Sequence, residues 1–122
     1  MHLNKKQIYI VDDDESVCRA LSLLLDTYGF EVHTFASATA FLNSVLKDAS
    51  GCLILDVHMA QMDGFTLQQR LNTNGFRIPI IFISADKDMK LSQQYLNAVG
   101  AIGFLQKPFG DQELVDLINS AC

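Results

Sequence analysis

The stretch CLILDVHMAQMDG, residues 52–64, decides how the rest of the chain is read. Its first four residues form a strand-length apolar run, and the run stops at an acid, Asp56. A short loop follows. Asp63-Gly64 then opens a helix-periodic segment through Phe65, Leu67 and Leu71. The order is therefore strand, carboxylate, loop, helix.

The same order recurs along the chain. Apolar runs of strand length lie at 8–11, 32–35, 78–83 and 101–105. Residues 31–35 alternate polar and apolar, as a half-exposed edge strand does. Helical stripes fill the gaps. Val17, Leu21, Leu24, Leu25 and Tyr28 form one, with Gly29 as its stop. Ser37 can cap a second, carried by Ala38, Phe41, Leu42, Val45, Leu46 and Ala49. A fourth runs through Leu91, Tyr95, Ala98 and Val99 to Gly100. Asp111 can cap a fifth, with Leu114, Leu117, Ile118 and Ala121 facing inward.

Five strand–helix units with short connections imply a parallel sheet covered by helices on both faces, joined by right-handed crossovers. At 122 residues this is one domain, expected over 1–122. The chain ends where the fifth helix should finish, which fits a whole small protein or the front half of a larger one.

Composition narrows the function. Hydrophobic residues make up 49% and charged residues 19%, which leaves no case for disorder. The formal net charge is −5, so the domain is a poor DNA or anionic-membrane binder by itself. No apolar run approaches the ~20 residues that span a bilayer, and the N-terminal apolar stretch is too short for a signal peptide. A cytoplasmic protein is expected. Cys18, Cys52 and Cys122 are far apart with no Cys-x-x-Cys pair, so three reduced thiols are expected, with Cys52 in the core.

In an open α/β sheet, ligands bind beyond the carboxyl ends of the strands. The first strand ends in Val11-Asp12-Asp13-Asp14-Glu15, the third in Asp56-Val57-His58, the fourth in Ser84-Ala85, the fifth in Gln106-Lys107-Pro108. Three carboxylates, a hydroxyl and an ammonium thus converge on one rim. Asp14 and Glu15 are accounted for as a helix cap and a first-turn acid. Asp12 and Asp13 are not, because they begin at the strand end. Gathering them with Asp56 is costly unless a cation compensates. Oxygen-only ligands with room for water and phosphate suit Mg²⁺. Asp56 is the candidate nucleophile, since Asp can form an aspartyl phosphate, with metal and Lys107 removing the repulsion between anions.

With VDDDE at 11–15, LDVHMAQMDG at 55–64, ISA at 83–85 and FLQKPF at 104–109, the chain resembles the receiver domain of bacterial two-component response regulators over essentially its whole length. The resemblance implies a flavodoxin-like, doubly wound five-stranded parallel sheet of order 2-1-3-4-5. It implies Asp56 as phosphoacceptor. Asp13 and Asp56 would bind Mg²⁺ directly, with the His58 backbone carbonyl, and Asp12 through water. Lys107 would contact the phosphate, before a cis Lys107–Pro108 bond, and Ser84 and Phe104 would be the switch pair. The motif around Phe104 is similar to receivers that precede LuxR-type helix-turn-helix domains. The implied partners are a cognate sensor histidine kinase and, on phosphorylation, a second copy through the fourth predicted helix and the fifth strand; no direct DNA or membrane contact is implied. No enzymatic turnover is implied beyond self-phosphotransfer and autodephosphorylation. His58 and Asp86, each two residues beyond a site residue, are expected at the mouth of the site, where they could set the phosphoryl lifetime.

Two positions depart from the family pattern. Ala60 stands where proline is usual, which is expected to loosen the loop. Gly103 stands where an acid is common, which weakens any charged dimer contact there. Competing readings are a flavin module, an aspartyl-intermediate phosphatase and a pseudo-receiver acting only as an interaction module. The acids at 12–15 would repel a flavin phosphate. A phosphatase would want a second acid at 58, where His stands. A pseudo-receiver would have lost part of the acid pair, acceptor and lysine that are all present here.

Overall fold

The computed structural model describes residues 5–45, 47–60, 62–85 and 101–121. The elements in chain order are β1 (Gln7–Val11), α1 (Glu15–Thr27), β2 (Glu31–Phe35), α2 (Ala38–Ser44), β3 (Cys52–Asp56), α3 (Gly64–Thr73), β4 (Ile80–Ser84), β5 (Ala101–Gln106) and α4 (Asp111–Ala121). All pairings are parallel, and the strand order is β2-β1-β3-β4-β5. The expected α/β sheet is thus observed. The helix expected through Leu91 and Val99 lies outside the described residues, as do Asp86 and Leu46.

Strand periodicity divides the core. Ile8, Ile10, Cys52, Ile54, Ile81, Ile83 and Leu105 face α1 and α4, and pack on Leu21, Leu25, Leu114 and Ile118. Val11, Leu53, Leu55, Ile80 and Phe82 face α2 and α3, and pack on Phe41, Leu67 and Leu71. β3 and β4 are buried at every position, as central strands covered on both faces must be. β2 is the half-exposed edge that its alternation announces.

The helices depart from expectation in three places. α2 stops at Ser44, so Val45 and Ala49 are not part of it. Val45 is extended (φ −109°, ψ 131°). Asn43, Ser44 and Val45 are poor helix formers in succession, and the apolar spacing beyond them is not enough to carry the helix on. α1 buries Leu21 and Leu25 of the expected stripe, with Val17 packed on the same core and Cys18 beside them, but the stripe's last member, Tyr28, is the C-cap residue and is 46% exposed. α4 already includes Asp111; the Gly110 N–H before it donates to Glu113 Oε1 at 3.1 Å, which is how that end is capped.

Gly103 has a packing reason. A Cβ there would come within 2.9 Å of Leu117 Cδ1, so any side chain, acidic or not, would require the tip of Leu117 to move aside. Cys18 is a free, buried thiol. Cys52 is disulfide-bonded, which departs from the expectation of three reduced thiols.

Candidate functional site

The site is built from strand ends. The β1–β3 register closes with Val11 opposite Leu55, so the next residues along are Asp12 and Asp56. Both continue the alternation that sends Ile8, Ile10, Cys52 and Ile54 toward α1 and α4, and they therefore share one side of the sheet. Asp12 is 1% exposed and Asp56 6%. One oxygen from each of Asp12, Asp13 and Asp56 lies within 4.8 Å of the others.

Neighbouring loops hold these acids. Asp14 caps α1, its carboxylate accepting from the Ser16 N–H at 3.0 Å, as expected of it. Its own N–H donates to Asp12 Oδ1 at 2.9 Å. α3 starts hard against β3: the Gly64 N–H donates to the Val57 carbonyl at 2.9 Å, and a Cβ on Gly64 would come within 2.7 Å of the Asp56 carbonyl oxygen. Glycine is needed there for that approach. Asp63 caps α3 by accepting from the Thr66 N–H at 2.7 Å.

Lys107 completes the centre. Its backbone N–H donates to the Ser84 carbonyl at 2.7 Å, tying it to the end of β4. Its Nζ donates to Asp12 Oδ2 at 3.1 Å and to Asp56 Oδ1 at 3.5 Å. The Lys107–Pro108 peptide is cis, as the resemblance implies. Ser84 is fully buried at the end of β4. Phe104 is half-buried on β5, opposite Phe82, two residues before Ser84 on the same face of β4. His58 is exposed just beyond Asp56.

The electrostatics follow from burial. Burial pushes the Asp56 carboxyl up to about 6, helped by the Asp12 charge and opposed by Lys107. Burial alone would lower Lys107, but its hydrogen bond to Asp12 and the charges of Asp12 and Asp56 outweigh this and raise it. One ammonium faces three carboxylates, so the cluster keeps a formal charge of −2. Its donors are all oxygen, the chemistry of a hard divalent cation. Two oxygens on one Mg²⁺ stand about 3–4 Å apart, given bonds near 2.1 Å. The observed spread is close enough that side-chain rotation or a bridging water closes it.

One contact was not visible in the sequence. The Ala60 N–H donates to Asp13 Oδ2 at 3.0 Å. The change from proline at this position was expected to loosen the loop; instead it supplies a donor that ties the loop to Asp13. The only sequence signal for it is that a non-proline residue has an N–H to give.

An open five-stranded parallel sheet with this acid–lysine cluster at its carboxyl edge defines a class, and the sequence agrees with it. Residues 8–119 match the response regulator receiver domain, and the chain belongs to that family. It is 48% identical to the response regulator protein TmoT of Ectopseudomonas mendocina over 122 residues, covering 98% of this chain and 55% of that protein. Among solved structures, the response regulator StyR superposes with a TM-score of 0.88 at 43% identity, covering 96% of this chain and 59% of that one. FixJ-N superposes with a TM-score of 0.87 at 32% identity, covering 96% and 93%. The chain spans about half the length of the curated relatives it matches. No helix among the described residues is long and apolar enough to cross a membrane.

Proposed function

We propose that this chain, as one receiver domain over 1–122, is the phosphoryl-accepting switch of a two-component signalling system, phosphorylated on Asp56 by a cognate histidine kinase. The observation that carries this reading is Asp56 itself: a buried carboxylate at a strand end, with Lys107 Nζ at 3.5 Å and Asp12 and Asp13 beside it. A carboxylate oxygen of Asp56 attacks the phosphorus, the bond from phosphorus to the kinase histidine nitrogen breaks, and its electron pair stays on the imidazole. In this reading Lys107 holds a phosphoryl oxygen, which its position beside Asp56 supports. Asp13, Asp56 and the His58 carbonyl, with Asp12 through water, would hold Mg²⁺, which when bound neutralises charge on the transferring group. The Ser84 hydroxyl then turns toward the phosphoryl group, and Phe104 follows it inward. The output is control of transcription through a DNA-binding domain of the LuxR type outside this chain, and the setting is the cytoplasm. The domain turns over only its own phosphoryl group.

The test is intact-mass measurement after incubation with acetyl phosphate. One adduct, labile in both acid and base as an acyl phosphate is, is expected with Mg²⁺, and none when EDTA replaces it; an adduct formed equally in both would overturn the metal-dependent reading.

Divalent metal should also raise the melting temperature, since it binds the native state alone. With one site and no affinity for the unfolded chain, saturation at about 100 times Kd is worth ~2.7 kcal/mol. Asp13→Ala should abolish the shift. Identical melting curves across a Mg²⁺ series would remove the site.

The same reading gives the His58 side chain a part in setting how long the phosphoryl group lasts. It stands exposed two residues beyond Asp56, and hydrolysis needs a water in line with the phosphorus, whose path a nearby side chain can block or orient. His58→Ala should change the rate of phosphoryl loss several-fold while leaving Mg²⁺ affinity intact, because only its backbone carbonyl is a ligand. Decay curves that overlay wild type between about pH 5.5 and 8 would leave its side chain without a role.

A further inference from the structure

We propose that the main-chain N–H of Ala60 is a clasp, present without metal, that positions Asp13 as a ligand and strengthens divalent-cation binding about tenfold. The inference rests on the metal-site reading above.

The clasp joins two loops 47 residues apart in sequence, the one that carries Asp13 and the one that carries the His58 carbonyl. Those are the segments a cation would otherwise have to bring together. Asp12 and Asp56 need no such help, since both are buried and held by Lys107. Asp13 is the exposed member of the cluster. A cleft of about 300 Å³, lined by Asp13, Ser37, Met59, Ala60 and Met62 among others, opens beside it. The Ala60 amide is what fixes this carboxylate against that open space.

The bond orders the ligand without blocking it. A carboxylate has two oxygens and about four lone-pair sites. A single N–H on Oδ2 leaves Oδ1 and a second Oδ2 lone pair for a cation. The donor belongs to the backbone, so any residue except proline can supply it, and the Ala60 methyl is immaterial. Ala60 is thus a positioning residue acting through Asp13.

The test removes the donor and little else. An amide-to-ester replacement at residue 60 exchanges N–H for O and keeps the methyl; Ala60→Pro removes the donor by substitution; Ala60→Gly keeps it. Mg²⁺ affinity is measured by calorimetry. The ester and proline variants should bind about tenfold more weakly and Ala60→Gly as wild type does. In the metal-free protein, the Ala60 amide should exchange slowly with solvent and lose that protection in Asp13→Ala, while the Asp14 amide, bonded to Asp12, keeps it. An ester variant that binds Mg²⁺ as well as wild type, or better, overturns the clasp. Failure of the wild-type chain to bind Mg²⁺ at all is a different result, and overturns the metal site on which the clasp rests.

Discussion

Asp56→Asn should abolish phosphoryl transfer and at the same time make the metal-free domain more stable. The first effect follows from the loss of the nucleophile, and intact mass after acetyl phosphate treatment measures it: no acid-labile adduct is expected on the variant. The second follows from what burial does to the carboxylate. The native Asp56 titrates at about 6, against 3.8 when unperturbed. Between those values the folded chain holds a proton that the unfolded chain has released. Stability contributed by this group is therefore complete below about 3.8, falls as pH rises through that window, and stays at its minimum above about 6. An amide at this position carries no charge to bury. The gain at pH 8 is on the order of 2 kcal/mol, a rise of several degrees in melting temperature for a domain of this size. It should shrink as pH is lowered through 6 and be nearly gone at pH 4. A variant that melts at or below the wild-type temperature at pH 8 would mean that Asp56 is already compensated in the metal-free protein. A variant that still gains an acid-labile phosphoryl group at the wild-type rate would move the acceptor elsewhere.

That tension between stability and site was legible in the sequence, because it lies in residue types at strand ends. Strand-length apolar runs fix where the strands stop, and the alternation of a parallel fold puts all the stops on one rim. Asp12, Asp56 and Lys107 meet for that reason, although 95 residues separate the first from the last. What was not legible depends on backbone geometry or on local competition. Val45 and Ala49 sit at helical spacing after Phe41, yet α2 ends at Ser44, because spacing reports where a helix could pack and not whether three weak formers will carry it there. Gly110, not Asp111, marks the start of α4, a difference of one residue that cap chemistry alone cannot resolve. The disulfide at Cys52 has no signature in cysteine spacing. The Ala60 bond to Asp13 belongs to the same group: a main-chain donor is present at every residue but proline, and only the folded loop selects the one that matters.

Lys107→Met should separate the two tasks given to the lysine. In the metal-free protein it compensates Asp12, which is 1% exposed and 3.1 Å from its Nζ. Removing one partner of a buried pair strands the other. The full penalty for such a loss is ~3–5 kcal/mol; Lys107 is partly open to solvent, and Asp12 keeps the Asp14 N–H at 2.9 Å, so a cost near ~2 kcal/mol is expected here. The deficit should be largest at neutral pH and smaller where the carboxylates protonate. Methionine also leaves the three acids at a formal −3, so a divalent cation gains more by binding, and Mg²⁺ should raise the melting temperature of the variant by more than it raises that of wild type. Phosphoryl acceptance should nevertheless fall by about a hundredfold, the usual effect of removing one preorganised donor from developing charge. Thermal melts in a Mg²⁺ series, run beside the rate of adduct formation at saturating Mg²⁺, read both. Stability restored by metal together with a wild-type phosphorylation rate would confine Lys107 to compensating Asp12, and would leave the phosphoryl oxygen to another donor.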